Sequence, residues 1–80
     1  MNKETFSLDA LRVGEWAYVA SVGSSGAMRR RLTDIGLVPG TRVVCVCAAP
    51  FGDPRAYVIH GAVAAVRACD AREVILSKTI

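Results

Sequence analysis

Two periods run through the apolar positions of the chain. From Glu15 to Val22 the repeat is two, with Trp16, Tyr18 and Val22 on one parity and Ala17 and Val19 on the other. Successive side chains of a strand point to opposite faces, so this spacing predicts a first strand. Further on the repeat lengthens. Met28, Leu32 and Ile35 stand at i, i+4 and i+7, which predicts a helix from Gly26 or Ala27 to Ile35 with those three facing inward. Ser24 or Ser25 is placed to cap it. Strand patterning returns at Thr41–Ala48, rich in β-branched residues. Within it Val43–Cys47 is apolar on both parities, which predicts cover on both sides. Three more strands are expected at Arg55–His60, at the alanine-rich Val63–Arg67 and at Glu73–Ser77. Single helical turns are expected at Ser7–Leu11, with Ser7 as cap, and at Cys69–Arg72. The last residues, Lys78 to Ile80, read as frayed.

The punctuation between these elements is dense. Gly36 follows the last helical position, where the chain needs positive φ and glycine adopts it without steric cost. Leu37 is then placed to fold back on the last helical turn. Pro39-Gly40 suits the two central positions of a type II turn. A second stop, Ala49-Pro50-Phe51-Gly52-Asp53-Pro54, makes a stiff loop between two strands. About five short strands, one α-helix between the first and second, and Gly/Pro turns point to a mostly β fold, a small barrel.

Composition narrows the class. Eighty residues, 52% apolar and 21% charged, describe one globular domain, 1–80, with a modest core. The formal charge of +3 permits an acidic partner and does not require nucleic acid. No apolar run reaches the roughly 20 residues of a membrane span, and no signal-peptide core follows the N-terminus. Cys45, Cys47 and Cys69 form no disulfide framework, in keeping with a reducing compartment. The expectation is a cytoplasmic protein.

Four features could carry chemistry. Arg29-Arg30-Arg31 is either a solvated helix face or a basic patch for an acidic partner, which Arg42 and Arg55 would extend if their strands lay close. Cys45 and Cys47, two apart on a strand, would share a side. They are weak candidates for a soft metal, because no second pair completes four ligands. His60 is the only histidine and reads as a turn residue before Gly61; no nucleophile elbow, P-loop or paired carboxylates accompany it. Phe51-Gly52-Asp53 is either an ordinary turn, with Phe51 folded onto the barrel, or a contact loop that loses little entropy on binding.

The segment Arg31-Leu32-x-Asp34-Ile35-Gly36-Leu37-Val38-Pro39-Gly40-Thr41-x-Val43, followed by the Ala49–Pro54 loop, resembles the signature of the FeoA family. Leu32, Gly36, Leu37, Pro39, Gly40, Pro50, Gly52 and Pro54 are its structural positions. The resemblance runs from about Leu8 to Leu76. It departs in the small residues Ala62–Val66 and in Cys47. It implies an SH3-like β-barrel with no catalysis, no cofactor and no dedicated metal site. It further implies a cytoplasmic accessory of a bacterial ferrous-iron importer. The implied partner is FeoB, a membrane GTPase, which would hold the chain at the inner face of the membrane. Arg29, Arg30, Arg31, Phe51 and Asp53 are the partner-binding candidates. The alternatives are a nucleic-acid-binding barrel using the arginines, or a proline-rich-peptide groove in which Trp16, Tyr18 and Tyr57 converge. The same barrel occurs as the C-terminal domain of DtxR-like repressors, but this chain has no winged helix.

Overall fold

The structure, a computed structural model, describes residues 5–23 and 26–79. Its elements in chain order are β1 (Thr5–Ser7), a 3-10 turn (Leu8–Ala10), β2 (Trp16–Val22) and α1 (Gly26–Asp34), then β3 (Arg42–Ala48), β4 (Arg55–Ile59), β5 (Ala62–Val66), α2 (Ala68–Ala71) and β6 (Val74–Ser77). The strands form one antiparallel sheet in the order β1-β6-β2-β3-β4-β5. Among the described residues six strands stand where the hydrophobic pattern predicted about five. The extra one is β1, three residues long and too short to show a period. Ser7 ends that strand and does not cap the turn through its side chain; its hydroxyl donates to Asp9 Oδ1. The expected cap at Ser24 or Ser25 lies outside the described residues.

Two bulges bend the sheet. The register of β2 on β6 shifts between Val19 and Ser21, and that of β3 on β4 shifts between Cys45 and Cys47. Each extra residue increases twist and curls the strand. The curled sheet wraps a core of Leu8, Leu11, Val19, Val43, Tyr57, Ile59 and Leu76, among others. The hydrogen-bonded ladder stays open between β1 and β5, so the barrel is completed by side chains. Arg55 Nη1 donates to the carbonyls of Asp9 and Leu11 at 3.0 and 2.8 Å, and Tyr57 Oη donates to Leu8 O at 3.4 Å. These bonds tie β4 to the 3-10 turn that follows β1.

The helix stop forms as its residue order dictates. Leu37 N–H donates to Leu32 O at 3.1 Å and Gly36 N–H to Thr33 O at 2.9 Å. Together they make a Schellman motif with Gly36 at φ 104°. Leu37 is fully buried, a burial that contributes about 2 kcal/mol. Ile35, expected on the inner face, is exposed instead. The helix ends at Asp34, so Ile35 belongs to the unwinding turn and Leu37 takes the core position. Thr41 N–H then donates to Val38 O at 3.1 Å across Pro39-Gly40, with Gly40 at φ 93°. That is the type II turn.

Cover on both sides of β3 is not found. Val43 and Cys45 are fully buried, while Val46 and Cys47 are exposed and Val44 is half-buried. The sheet packs its core on one face only, as antiparallel sheets commonly do.

Candidate functional site

The loop between β3 and β4 is held at several points. Ala49 N–H donates to Pro54 O at 3.0 Å and Gly52 N–H to Ala49 O at 2.7 Å. The second bond closes a four-residue turn with Pro50 second and Gly52 fourth, the preferred places for those residues in a type I turn. Arg55 Nε donates to Gly52 O at 3.3 Å. Asp53 Oδ1 accepts the Ala68 N–H at 2.9 Å, fixing the loop to the start of α2. Within this frame Phe51 is 98% exposed. It does not fold onto the barrel; the loop holds a whole aromatic ring in solvent. Asp53 is thereby engaged within the chain, and Phe51 is the side chain presented.

Arg29, Arg30 and Arg31 are exposed on α1, whose buried residue is Leu32. Arg30 and Arg31 share with Gly26, Ala27 and Asp34 a shallow depression of about 470 Å³. The helix precedes β3 and the Phe51 loop follows it. Seven residues of strand at about 3.4 Å each set the two ends of β3 itself roughly 20 Å apart. The five partner-binding candidates therefore fall in two groups, on the helix before β3 and on the loop after it.

Arg55 does not extend the arginine patch. Its guanidinium is spent on three backbone carbonyls. Its parity with Tyr57 and Ile59 was the signal that it points inward. Arg42 stacks over Trp16, 5.8 Å from the ring centroid. Trp16 and Tyr18 meet edge to face at 5.6 Å, but Tyr57 is fully buried in the core. The three aromatics do not converge in a peptide groove. Burial, the largest cause, pushes the Tyr57 hydroxyl up to about 12.

The two strand cysteines are separated by the bulge. Cys45 pairs with Tyr57, whereas Cys47 pairs with Ala56. The extra residue turns Cys47 outward while Cys45 stays in the core. The expectation of a shared side fails for this reason, and the two sulfurs make no chelate. Burial raises the Cys45 thiol, partly opposed by the Arg55 charge and slightly reinforced by Cys47 and Glu15. Among the described residues no group of three or more His, Cys, Asp and Glu is placed to hold a metal ion.

His60 and Gly61 link β4 and β5 with φ of 53° and 79°. Positive φ at both places is the type I′ hairpin condition. His60 Nε2 and Thr41 Oγ1 lie 3.3 Å apart. A Cβ on Gly36 would come within 2.6 Å of His60 Cδ2, so the ring lies against the Schellman glycine. His60 is thus a turn residue, and its ring packs on Gly36.

Among the described residues no helix is long and apolar enough to cross a membrane. Among the curated proteins none matches the chain. Solved structures do. The FeoA protein of Chlorobium tepidum is 33% identical with a TM-score of 0.85, over 94% of this chain and 71% of that one. A FeoA-like protein from Clostridium acetobutylicum is 25% identical with a TM-score of 0.87, over 100% and 92%. Stenotrophomonas maltophilia FeoA, solved with zinc and described as an SH3 domain protein and candidate ferrous iron transport activating factor, is 29% identical with a TM-score of 0.79, over 89% and 88%. The family model of the FeoA domain matches residues 6–78. The SH3-like barrel, the glycine and proline stops, and a family match over nearly the whole length agree, and the chain belongs to the FeoA domain family.

Proposed function

We propose that this chain is a non-enzymatic accessory of a bacterial ferrous-iron uptake system. It acts in the cytoplasm by binding the cytoplasmic region of a FeoB-like membrane GTPase. The observation that carries the reading is Phe51, 98% exposed on a loop tied down at Ala49, Gly52, Asp53 and Arg55. A rigid loop that presents an aromatic ring loses little freedom when the ring is buried by a partner. The arginines of α1, at the other end of β3, form a second contact that steers toward acidic surface. The description of the Stenotrophomonas relative as a candidate transport activating factor supports the same role.

The test is a titration of the whole chain against the G domain and the other soluble segments of the cognate transporter, in each nucleotide state. Saturable binding at physiological salt that Phe51→Ala weakens at least tenfold is the expected result. Equal binding by wild type and Phe51→Ala removes the loop from the contact. Absence of binding to every segment refutes the transporter as direct partner. Binding to nucleic acid that collapses between low and moderate salt would replace the reading with the arginine-based alternative.

A further inference from the structure

The outer face of the sheet carries a feature that neither the loop nor α1 uses. The registers align Trp16 with Val44, Val44 with Val58, and Val58 with Val63. These four make one apolar row across β2, β3, β4 and β5. Trp16 is 42% exposed and Val63 68%, with Val44 and Val58 half-buried between them. Directly opposed positions on one face are side-chain neighbours. The row therefore spans three strand spacings, about 14 Å, or roughly four residues of extended chain. On one flank Val46 is 40% exposed. On the other, Arg42 pairs with Tyr18 and lines, with Val44, Val58 and His60, a cavity of about 540 Å³.

A solvated sheet face normally alternates polar residues outward. Here the four strands contain no Asp or Glu. Their charges are Arg42 and Arg55, and Arg55 is turned inward to backbone carbonyls. A second cation, Lys78, donates to Trp16 O at 2.8 Å and sits 5.5 Å from the Trp16 ring centroid. The acid next in sequence, Glu15, accepts the Arg12 N–H at 2.8 Å. Among the described residues the face is thus apolar with a cationic border, and its four strands carry no carboxylate.

That charge pattern selects the occupant. A second copy docked by a two-fold axis would bring its own Arg42 and no acid from the same strands, setting like charges together. We propose that this face binds a short extended peptide segment of a partner protein in which a carboxylate stands beside β-branched or aromatic side chains. The apolar side chains lie along the Trp16–Val63 row, and the carboxylate meets Arg42. This surface is distinct from the Phe51 loop and does not depend on the transporter being its owner.

The experiment is selection of a displayed random decapeptide library on the whole chain. Enriched peptides are then titrated by the fluorescence of Trp16, the single tryptophan. The expected peptides combine Asp or Glu with Val, Ile, Phe or Tyr and saturate the signal. Arg42→Glu and Val63→Lys each weaken binding tenfold or more while circular dichroism stays native. Exchanging the peptide carboxylate for lysine restores binding to Arg42→Glu. If Arg42→Glu fails to fold, Val63→Lys, at an exposed edge position, carries the test. No enrichment, basic or proline-rich winners, or affinity unchanged by both substitutions overturns the proposal. Sedimentation showing a dimer that Val63→Lys dissociates also overturns it, by assigning the face to a second copy.

Discussion

The two ends of β3 are built from the same residue types and do opposite things. Before the strand, Gly36-Leu37-Val38-Pro39-Gly40 turns the chain inward: Leu37 is fully buried and His60 closes over Gly36. After it, Ala49-Pro50-Phe51-Gly52-Asp53-Pro54 turns the chain outward and leaves Phe51 98% exposed. Both turns are fixed by backbone hydrogen bonds. The difference lies in what surrounds the glycine. A Cβ on Gly36 would meet Ile59 Cγ2 at 2.8 Å as well as His60, whereas one on Gly52 meets nothing within 4 Å. Stiffness at the first place serves the core, and at the second it serves display.

The sharpest way to break the comparison is Gly36→Ala. Positive φ and two sub-3 Å approaches should together cost about 3 kcal/mol, read as a fall in the urea midpoint with unchanged slope. A loss below about 1 kcal/mol would mean that the His60 ring swings away freely. The next largest effect is expected at Arg55→Met, which strips the carbonyls of Asp9 and Leu11 of a charged donor. A cost of about 2 kcal/mol is expected in the same assay. Gly52→Ala, with φ at 82° and open space, should cost about 1 kcal/mol, so the two glycines should differ by roughly 2 kcal/mol. Equal losses would dissolve the contrast between the two ends.

Tyr57→Phe should cost less than about 1 kcal/mol near neutrality, because its hydrogen bond is long. Its signature is in alkali. Tyr57 titrates near 10 in the unfolded chain and near 12 in the fold. The folded state holds the extra proton, so stability is full below about pH 10 and falls as pH rises toward 12. The phenylalanine variant should lose less stability across that window. Parallel curves for the two proteins would show that the hydroxyl is not desolvated. Smallest of all, Phe51→Ala should change stability by under about 0.5 kcal/mol, the range of ordinary surface substitutions, while partner affinity drops.

Much of the fold was legible because the signals were local. The Schellman stop needs only Gly36 after a periodic run, and the Pro39-Gly40 turn needs only two residues. Boundaries came within one or two positions for the same reason. β1 was not legible, since three residues show no period. Ile35 was misplaced because the 3.6-residue repeat was extended one step past the true helix end. Arg55 could have been found: it shares the inward parity of Tyr57 and Ile59. Phe51 was legible as a loop residue but not as a displayed one, because the loop is also tied to a segment distant in the chain, where Asp53 reaches Ala68 fifteen residues away.

By itself, then, the order of residues determined the longer elements, their stops, the β-rich class and the family. Backbone preferences and side-chain periodicity act over a few residues, so a linear string contains them. Tertiary structure alone decided which face of β3 is covered, that a bulge sends Cys45 and Cys47 to opposite sides, and that Trp16, Val44, Val58 and Val63 fall in one row. Those outcomes depend on strand register. One residue of slip inverts every side chain after it, and register is set by pairing between segments that are distant in the chain.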